Sequence, residues 1–318
     1  MEDSWQWKIP IPEFPFRLDH HSSITSLGSC FADEIGGKLE QAGYSIFNNP
    51  HGILFNPFSA ARVISHGLNP EAYIPRITQG NGLFHSMDHH GSFSNSDEEA
   101  LRKNINSTGQ IINEYLKKSS CLLLTFGTAM SWVWNEDGQT AANCHKIPQS
   151  MFTQTLFKAA EIVEVWKPLI CALREENSNL HIVLSVSPVR YFKGTPEMNT
   201  RSKSQLIIAA HELAEKFDFV YYFPAYEILI DELRDYRFYK DDLRHPSDLA
   251  VEYVWKAFQE SCMQPEIIAL NQKLIKIDRR NSHRPTAKPQ SSTSEVRQEV
   301  EESKQALIQA FYSSGSRT

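Results

Sequence analysis

The sequence has few cysteines and no pattern among them. The five (Cys30, Cys121, Cys144, Cys171 and Cys262) are scattered, odd in number and without a C-x-x-C pair. That argues against a disulfide framework and for free thiols in a reducing compartment. No apolar run approaches the ~20 residues that cross a bilayer, so no membrane span is expected. The segment Met1-Glu2-Asp3-Ser4-Trp5 is acidic and soon meets Pro10, Pro12 and Pro15. It lacks the basic start and apolar core of a secretory signal, and the expected location is the cytoplasm. Long basic blocks are missing too. With 32 Lys and Arg against 38 Asp and Glu, the net charge is -6, which argues against nucleic acid as the partner. There is no glycine-rich phosphate loop and no internal repeat, so no nucleotide-bearing cofactor is implied.

What is present suits an ordinary globular protein. At 318 residues, with 41% apolar and 22% charged residues, the chain can bury a sizeable core in one large domain and carry an appendage. Ile24–Leu27 reads as a short strand. Phe31, Ile35 and Leu39 then recur at helical spacing until Gly43. Pro57 begins another helix, and Ser96-Asp97-Glu98-Glu99 caps one running through Ile111 and Tyr115.

Cys121–Phe126 is a continuous apolar run closed by Gly127, the pattern of a strand buried on both faces. The spacing predicts a helix from Phe152 to Arg174, kinked at Pro168. A buried strand follows at His181–Pro188, then a helix from Ser202 to Lys216 and a strand at Phe219–Phe223. A last helix after Pro246 carries Leu249, Val251, Val254, Trp255 and Phe258. Strands alternating with helices imply right-handed βαβ units in an α/β fold with a mostly parallel sheet. The turns at Gly28, Gly127 and Ser187-Pro188 fall at the carboxyl ends of strands, where such sheets bind ligands.

Residues 1–280 are therefore expected to form the main domain. Residues 281–294 are polar and proline-bearing, a linker by composition. Residues 295–318 read as a C-terminal amphipathic helix, opened by a capping box of Ser292 and Glu295, that either docks back on the domain or serves a partner.

Chemistry concentrates at two places. Gly28-Ser29-Cys30-Phe31-Ala32 sets a hydroxyl and a thiol at a strand-to-helix turn, where backbone amides favour negative charge. Asp242-Leu243-Arg244-His245-Pro246 offers a carboxylate and an imidazole three residues apart. The two together suggest a nucleophile, a base and an orienter. From the residues alone, Ser29 is either a helix cap or a nucleophile. Cys30 is either a nucleophile or a small buried hydrophobe, and Asp242 and His245 are either catalytic or a helix-start carboxylate and a surface histidine.

The Gly28–Ala32 run resembles the signature of the GSCFA family. So do Asn56-Pro57, His85-Ser86, Phe126-Gly127-Thr128, Asn143-Cys144-His145-Lys146, Ser187-Pro188-Val189-Arg190, Ser202-Lys203, Tyr222–Glu227, Asp235–Tyr239 and His245-Pro246-Ser247, in order. That family is grouped with SGNH, or GDSL-type, hydrolases. The resemblance implies a three-layer α/β/α fold and an ester hydrolase, often a deacetylase of carbohydrates. The expected partner is then a small-molecule or carbohydrate ester. An acyltransferase or a non-catalytic carbohydrate-binding module on the same scaffold is the alternative.

Carried over by the family register, the nucleophile position falls on Cys30, with Ser29 where the aspartate stands. Asp-x-x-His falls on Asp242 and His245. The oxyanion pattern Gly-x-Asn-Asp falls on Gly127-Thr128-Ala129-Met130, so its asparagine is missing. Asn143, Asn199, Trp132 and the Thr128 hydroxyl are the candidate replacements. A thiol at a helix N-terminus beside histidine is expected to have a pKa lowered to below neutrality. His85 and His145 read as substrate-binding or loop-fixing residues. The cluster of His85, Asp88, His89 and His90, with Cys144 and His145, matches no zinc spacing, and no metal is expected. Lys203 either meets an anionic substrate or is solvated at a helix start.

Overall fold

The computed structural model describes residues 7–190, 194–282 and 293–315; at 280–282, 293–297 and 315 it describes the backbone alone. A five-stranded, all-parallel sheet runs through the centre in the order β10-β9-β5-β1-β2. Its strands are β1 (Ser23–Gly28), β2 (Ser45–Asn48), β5 (Cys121–Phe126), β9 (His181–Val186) and β10 (Val220–Phe223). Strand β5 is buried at every position, as its unbroken apolar run requires.

Alternate residues of these strands serve two cores. Leu27, Leu122, Leu124, Ile182 and Leu184 face helices α2 (Pro57–Leu68), α3 (Glu98–Lys118), α4 (Ala159–Glu176) and α5 (Pro196–Lys216). Ile24, Cys121, Leu123 and Val183 face α1 (Cys30–Gln41), α7 (Asp248–Cys262) and residues of α8 (Pro265–Ser282). The result is a three-layer α/β/α arrangement around a parallel sheet. Between β10 and α7 lies the short helix α6 (Ala225–Glu227).

Two small antiparallel sheets decorate the strand ends. One pairs β3 (Ile77–Gly80) with β4 (Leu83–Ser86), and the other sets β6 (Met130–Trp134) between β7 (Gln139–Ala141) and β8 (Phe152–Leu156). Strand β8 corrects the helix expected from Phe152: Phe-Thr-Gln-Thr-Leu pairs with β6, and the helix starts only at Ala159. Helix α4 runs on past Pro168 to Glu176. Helix α5 starts earlier than expected, at Pro196, with Thr195 as its cap. Leu249 is exposed rather than part of the α7 core face.

The C-terminal helix α9 (Thr293–Gly315) packs on α8 through Leu270, Leu274 and Ile308. Lys304 Nζ lies 2.6 Å from Asp278 Oδ1. Asn281 and Ser282 close α8, and the rest of the expected linker lies almost wholly outside the described residues, as does Ser292 of its capping box.

The sheet's upper edge is built on close backbone approaches. Gly28 has φ +140°, and a Cβ there would stand 2.2 Å from Thr125 O. Gly28→Ala therefore meets backbone on one side and an unfavourable dihedral on the other. We expect it to destabilise the protein by about 3 kcal/mol, read by urea unfolding; a change under about 0.5 kcal/mol contradicts this account.

Candidate active site

Strand β1 ends at Gly28, whose amide donates to Asn49 Oδ1 at 2.8 Å. Asn49 Nδ2 in turn donates to Asp33 Oδ1 at 2.6 Å, tying the turn to the first turn of α1. The Ser29 amide donates to Thr125 O (3.1 Å), and Ser29 Oγ accepts from the Phe31 amide (3.3 Å). Ser29 is thus the N-cap of α1, and its buried hydroxyl is engaged in satisfying the helix end.

Cys30 is the first residue of α1 and half-buried. Its own amide hydrogen-bonds its sulfur, which lowers the thiol pKa, but burial outweighs this and the Asp33 and Glu34 carboxylates add to the upward push. The net direction is up. The depressed pKa expected from the helix N-terminus is therefore corrected: desolvation and two acidic neighbours win over the amide.

The second element is the turn before α7. Asp242 Oδ1 accepts from the amides of Arg244 (2.9 Å) and His245 (3.0 Å), and Oδ2 is 2.6 Å from His245 Nδ1. The His245 amide, then its ring and the Arg244 amide, hold the Asp242 carboxyl well below the usual carboxylate range. With Asp242 ionised, Nδ1 is the donor and Nε2 is left as the basic nitrogen. Lys240 N donates to His245 O (2.8 Å) and Arg190 N to Arg244 O (3.2 Å). The turn is therefore anchored to the chain that leaves β9.

A cavity of about 220 Å³ joins the two elements. Ser29, Cys30, Gly127, Thr128, Ser187 and His245 line it, along with Phe55, Val189, Arg190 and Arg244. It sits at the carboxyl ends of β1, β5 and β9, where a parallel sheet places its ligand. The lining holds one thiol and one imidazole but no carboxylate, which is not a metal-ligand set.

The expected oxyanion donors are mostly committed elsewhere. The amides of Gly127 and Thr128 both donate to Phe55 O, at 2.9 and 2.8 Å. The Thr128 hydroxyl lies 3.0 Å from Ser202 Oγ and accepts from the Met130 amide at 3.0 Å. Among the described residues, the Cys30 amide has no partner beyond its own sulfur. Among the described residues, the Arg190 guanidinium has no carboxylate partner and lies over the Tyr239 ring, 5.8 Å from its centroid.

Several sequence candidates are not brought to this cavity. Trp132 is on β6, in a separate cluster with Met87, Trp134 and Phe152. His85 holds Ser94 Oγ and Gly80 O at 2.6 and 2.9 Å. His145 stacks on His85 and reaches Ser86 O at 2.8 Å, while Asn143 Oδ1 accepts from the His145 amide at 2.9 Å. These three hydrogen-bond within the accessory sheets and their loops. Asn199 is buried in the first turn of α5 and does not line the cavity.

Lys203 is not solvated, and it does not line the cavity. It is buried, and Nζ donates to Gly127 O (2.6 Å) and Ser187 O (2.5 Å). Burial, then Arg190, push its pKa down to about 7. Sequence reasoning passed over Phe55, Asn49 and Arg244 as site residues. It quoted Arg190 without a role, although a basic residue just past a strand end was the available signal.

The family model that matches is that of the GSCFA family, over residues 23–258. No curated protein matches the chain significantly. Among solved structures, it is similar to a putative platelet activating factor from Streptococcus pneumonia (13% identity, 75% of this chain and 83% of that one, TM-score 0.41). It is also similar to a carbohydrate esterase family 3 protein from Talaromyces cellulolyticus (9% identity, 79% and 99%, TM-score 0.39). A third is an acetyl xylan esterase from the rumen bacterium Butyrivibrio proteoclasticus (12% identity, 83% and 66%, TM-score 0.37). The family match spans the whole sheet and both halves of the cavity, from the Gly28–Ala32 turn to the Asp242–His245 turn. This chain belongs to the GSCFA family.

Proposed function

We propose that the protein is an ester hydrolase of the SGNH type that removes a small acyl group, acetyl first among them, from a carbohydrate or related ester, with Cys30, His245 and Asp242 as nucleophile, base and orienter. The observation that carries the reading is one cavity lined by both the Cys30 thiol and a histidine whose Nδ1 is held by Asp242. Its volume of about 220 Å³ suits an acyl group of few carbons. The carbohydrate half of the reading rests on the family resemblance.

In this mechanism His245 Nε2 takes the thiol proton as Cys30 Sγ bonds to the ester carbonyl carbon. Collapse of the tetrahedral adduct breaks the ester C–O bond, and the leaving alkoxide receives the proton from His245. A thioester remains on Cys30. Water, deprotonated by the same imidazole, then attacks it and releases the carboxylic acid and the free thiol. Because burial raises the thiol pKa, sulfur is deprotonated during attack and is not stored as a thiolate.

The oxyanion falls to the Cys30 amide and the Arg190 guanidinium, since the neighbouring amides are bound to Phe55 O. Arg190→Ala is expected to lower kcat on an aryl acetate by about 10²–10³ with little change in KM. A change in KM alone removes Arg190 from the oxyanion role.

The direct test is intact-protein and peptide mass spectrometry after mixing with an activated acetyl ester. An acetyl adduct on Cys30 that turns over is the expected result. An adduct on Ser29 instead, or none faster than on Cys171, overturns the nucleophile assignment. Transfer to an added sugar hydroxyl in preference to water would identify an acyltransferase.

A further inference from the structure

Away from the Cys30 cavity, three histidines come together from distant parts of the chain. His51 lies in the loop after β2, His66 in the last turn of α2 and His89 just past β4. All three are buried, at 0%, 1% and 0% exposure. One ring nitrogen from each lies within 4.8 Å of those from the other two. Among the described residues, His51 Nδ1 and Nε2, His66 Nδ1 and Nε2, and His89 Nε2 have no hydrogen-bond partner. Neutral imidazoles normally place at least one nitrogen in a hydrogen bond when buried, so a convergent set of unpartnered nitrogens calls for a ligand.

We propose that His51, His66 and His89 form a binding site for a zinc-class divalent transition ion. The donor set is all imidazole nitrogen, which suits zinc and its borderline neighbours and excludes the oxygen-seeking magnesium and calcium. His89 also has the outer partner that such ligands use: its Nδ1 lies 2.6 Å from Ser86 Oγ, which fixes the ring and leaves Nε2 towards the group. Zinc–nitrogen bonds of about 2.05 Å in a tetrahedron set nitrogens about 3.4 Å apart. From the spacing of up to 4.8 Å seen here, the nitrogens draw together by up to about 1.4 Å on binding.

The surroundings are shaped for these rings. Phe93 stacks on His89 with centroids 4.6 Å apart, and Tyr73 on His66 at 3.8 Å. At position 109 of α3 a Cβ would stand 2.0 Å from His66 Nε2, so only glycine leaves room for this imidazole. The nearby Asp88 carboxylate is not a ligand, being paired with Arg62, Arg76 and Tyr73.

With no lining residue of the Cys30 cavity among the ligands, the ion's role is structural. It ties α2 and the β4 end to the 49–56 loop, whose Leu54 amide donates to Gly28 O and whose Phe55 O accepts from Gly127 and Thr128. The site stands whether or not Cys30 is the nucleophile.

The experiment uses the full chain, purified without a polyhistidine tag. We expect about one zinc per chain by elemental analysis. After unfolding in urea with EDTA and refolding with cobalt(II), the visible absorption of tetrahedral cobalt bound to nitrogen should appear. Refolding with zinc should raise the unfolding midpoint above that of the protein refolded with chelator. His66→Gln and His89→Gln should each abolish the metal and the cobalt spectrum, whereas His211→Gln should keep both. If these variants do not fold, the wild-type cobalt spectrum decides. Metal that survives His66→Gln, a cobalt spectrum dominated by thiolate charge transfer, or wild-type protein that takes up neither zinc nor cobalt overturns the proposal.

Discussion

Cys30→Ala is expected to abolish hydrolysis of aryl acetates, with kcat falling by about 10⁴-fold or more, while the unfolding midpoint stays near that of the wild type. The size follows from the role: removing a nucleophile removes the covalent route and leaves only binding and the oxyanion donors. Stability should change little because Cys30 is half-buried, stands at the first helical position and leaves capping to Ser29. His245→Ala should fall as far, and the His245→Ala/Cys30→Ala double variant no further, because the two act on one proton.

A pH profile separates two kinds of thiol. A preformed thiolate–imidazolium pair alkylates at a rate that levels off near neutrality. Here burial, Asp33 and Glu34 raise the thiol pKa, so the rate of Cys30 carbamidomethylation should still be climbing at pH 9. A plateau below pH 7 would show that burial and the acidic neighbours do not govern the sulfur. Full activity in Cys30→Ala would end the nucleophile assignment and turn attention to Ser29.

The parts of this site that lie close in sequence were legible there, and those assembled from a distance were not. The Gly28–Ala32 turn and the Asp242–His245 turn are local, so spacing alone exposes both. Strands β5, β9 and β10 were legible because they are largely apolar runs ended by turn residues, and β1 because its Ile24 and Leu27 lead straight into a glycine turn. Strand β2, by contrast, has four residues, none of them fully buried. Phe152–Leu156 carries two threonines, yet the long helical period that follows from Ala159 absorbed it. Lys203 was misread because nothing in a helix start tells whether a lysine reaches water or two carbonyls across the sheet. The missing oxyanion asparagine pointed to side chains, whereas the real constraint is backbone: Phe55 O occupies the amides of Gly127 and Thr128. His51, His66 and His89 carry no shared motif and meet only in the fold.

Lys203→Met should lower both stability and activity, and its pH signature identifies the cause. The lysine and its neighbour Ser202 hold the turns after β5 and β9 together. Ser202 Oγ accepts from the Ala129 amide at 2.8 Å, while Lys203 Nζ spans Gly127 O and Ser187 O. Methionine fills similar volume but cannot donate, leaving two buried carbonyls without this donor. At about 1–3 kcal/mol for each, the expected loss is about 3–5 kcal/mol by urea unfolding at pH 7. Gly127 and Ser187 both line the cavity, so kcat should fall even at temperatures where the variant is folded. Wild-type Lys203 has its pKa lowered to about 7 from an ordinary 10.5. Between those values the unfolded chain binds the proton more than the folded one, so this residue makes stability rise with pH by up to about 1.4 kcal/mol per unit. Buried thiols and phenols contribute to both proteins alike and cancel in the difference. The gap between wild type and Lys203→Met should therefore widen from pH 7 to pH 10. A gap that is constant with pH would mean that Lys203 remains an ammonium throughout, held by its two carbonyls against the cost of burial. A gap near zero at every pH would mean that it does not tie the two turns at all.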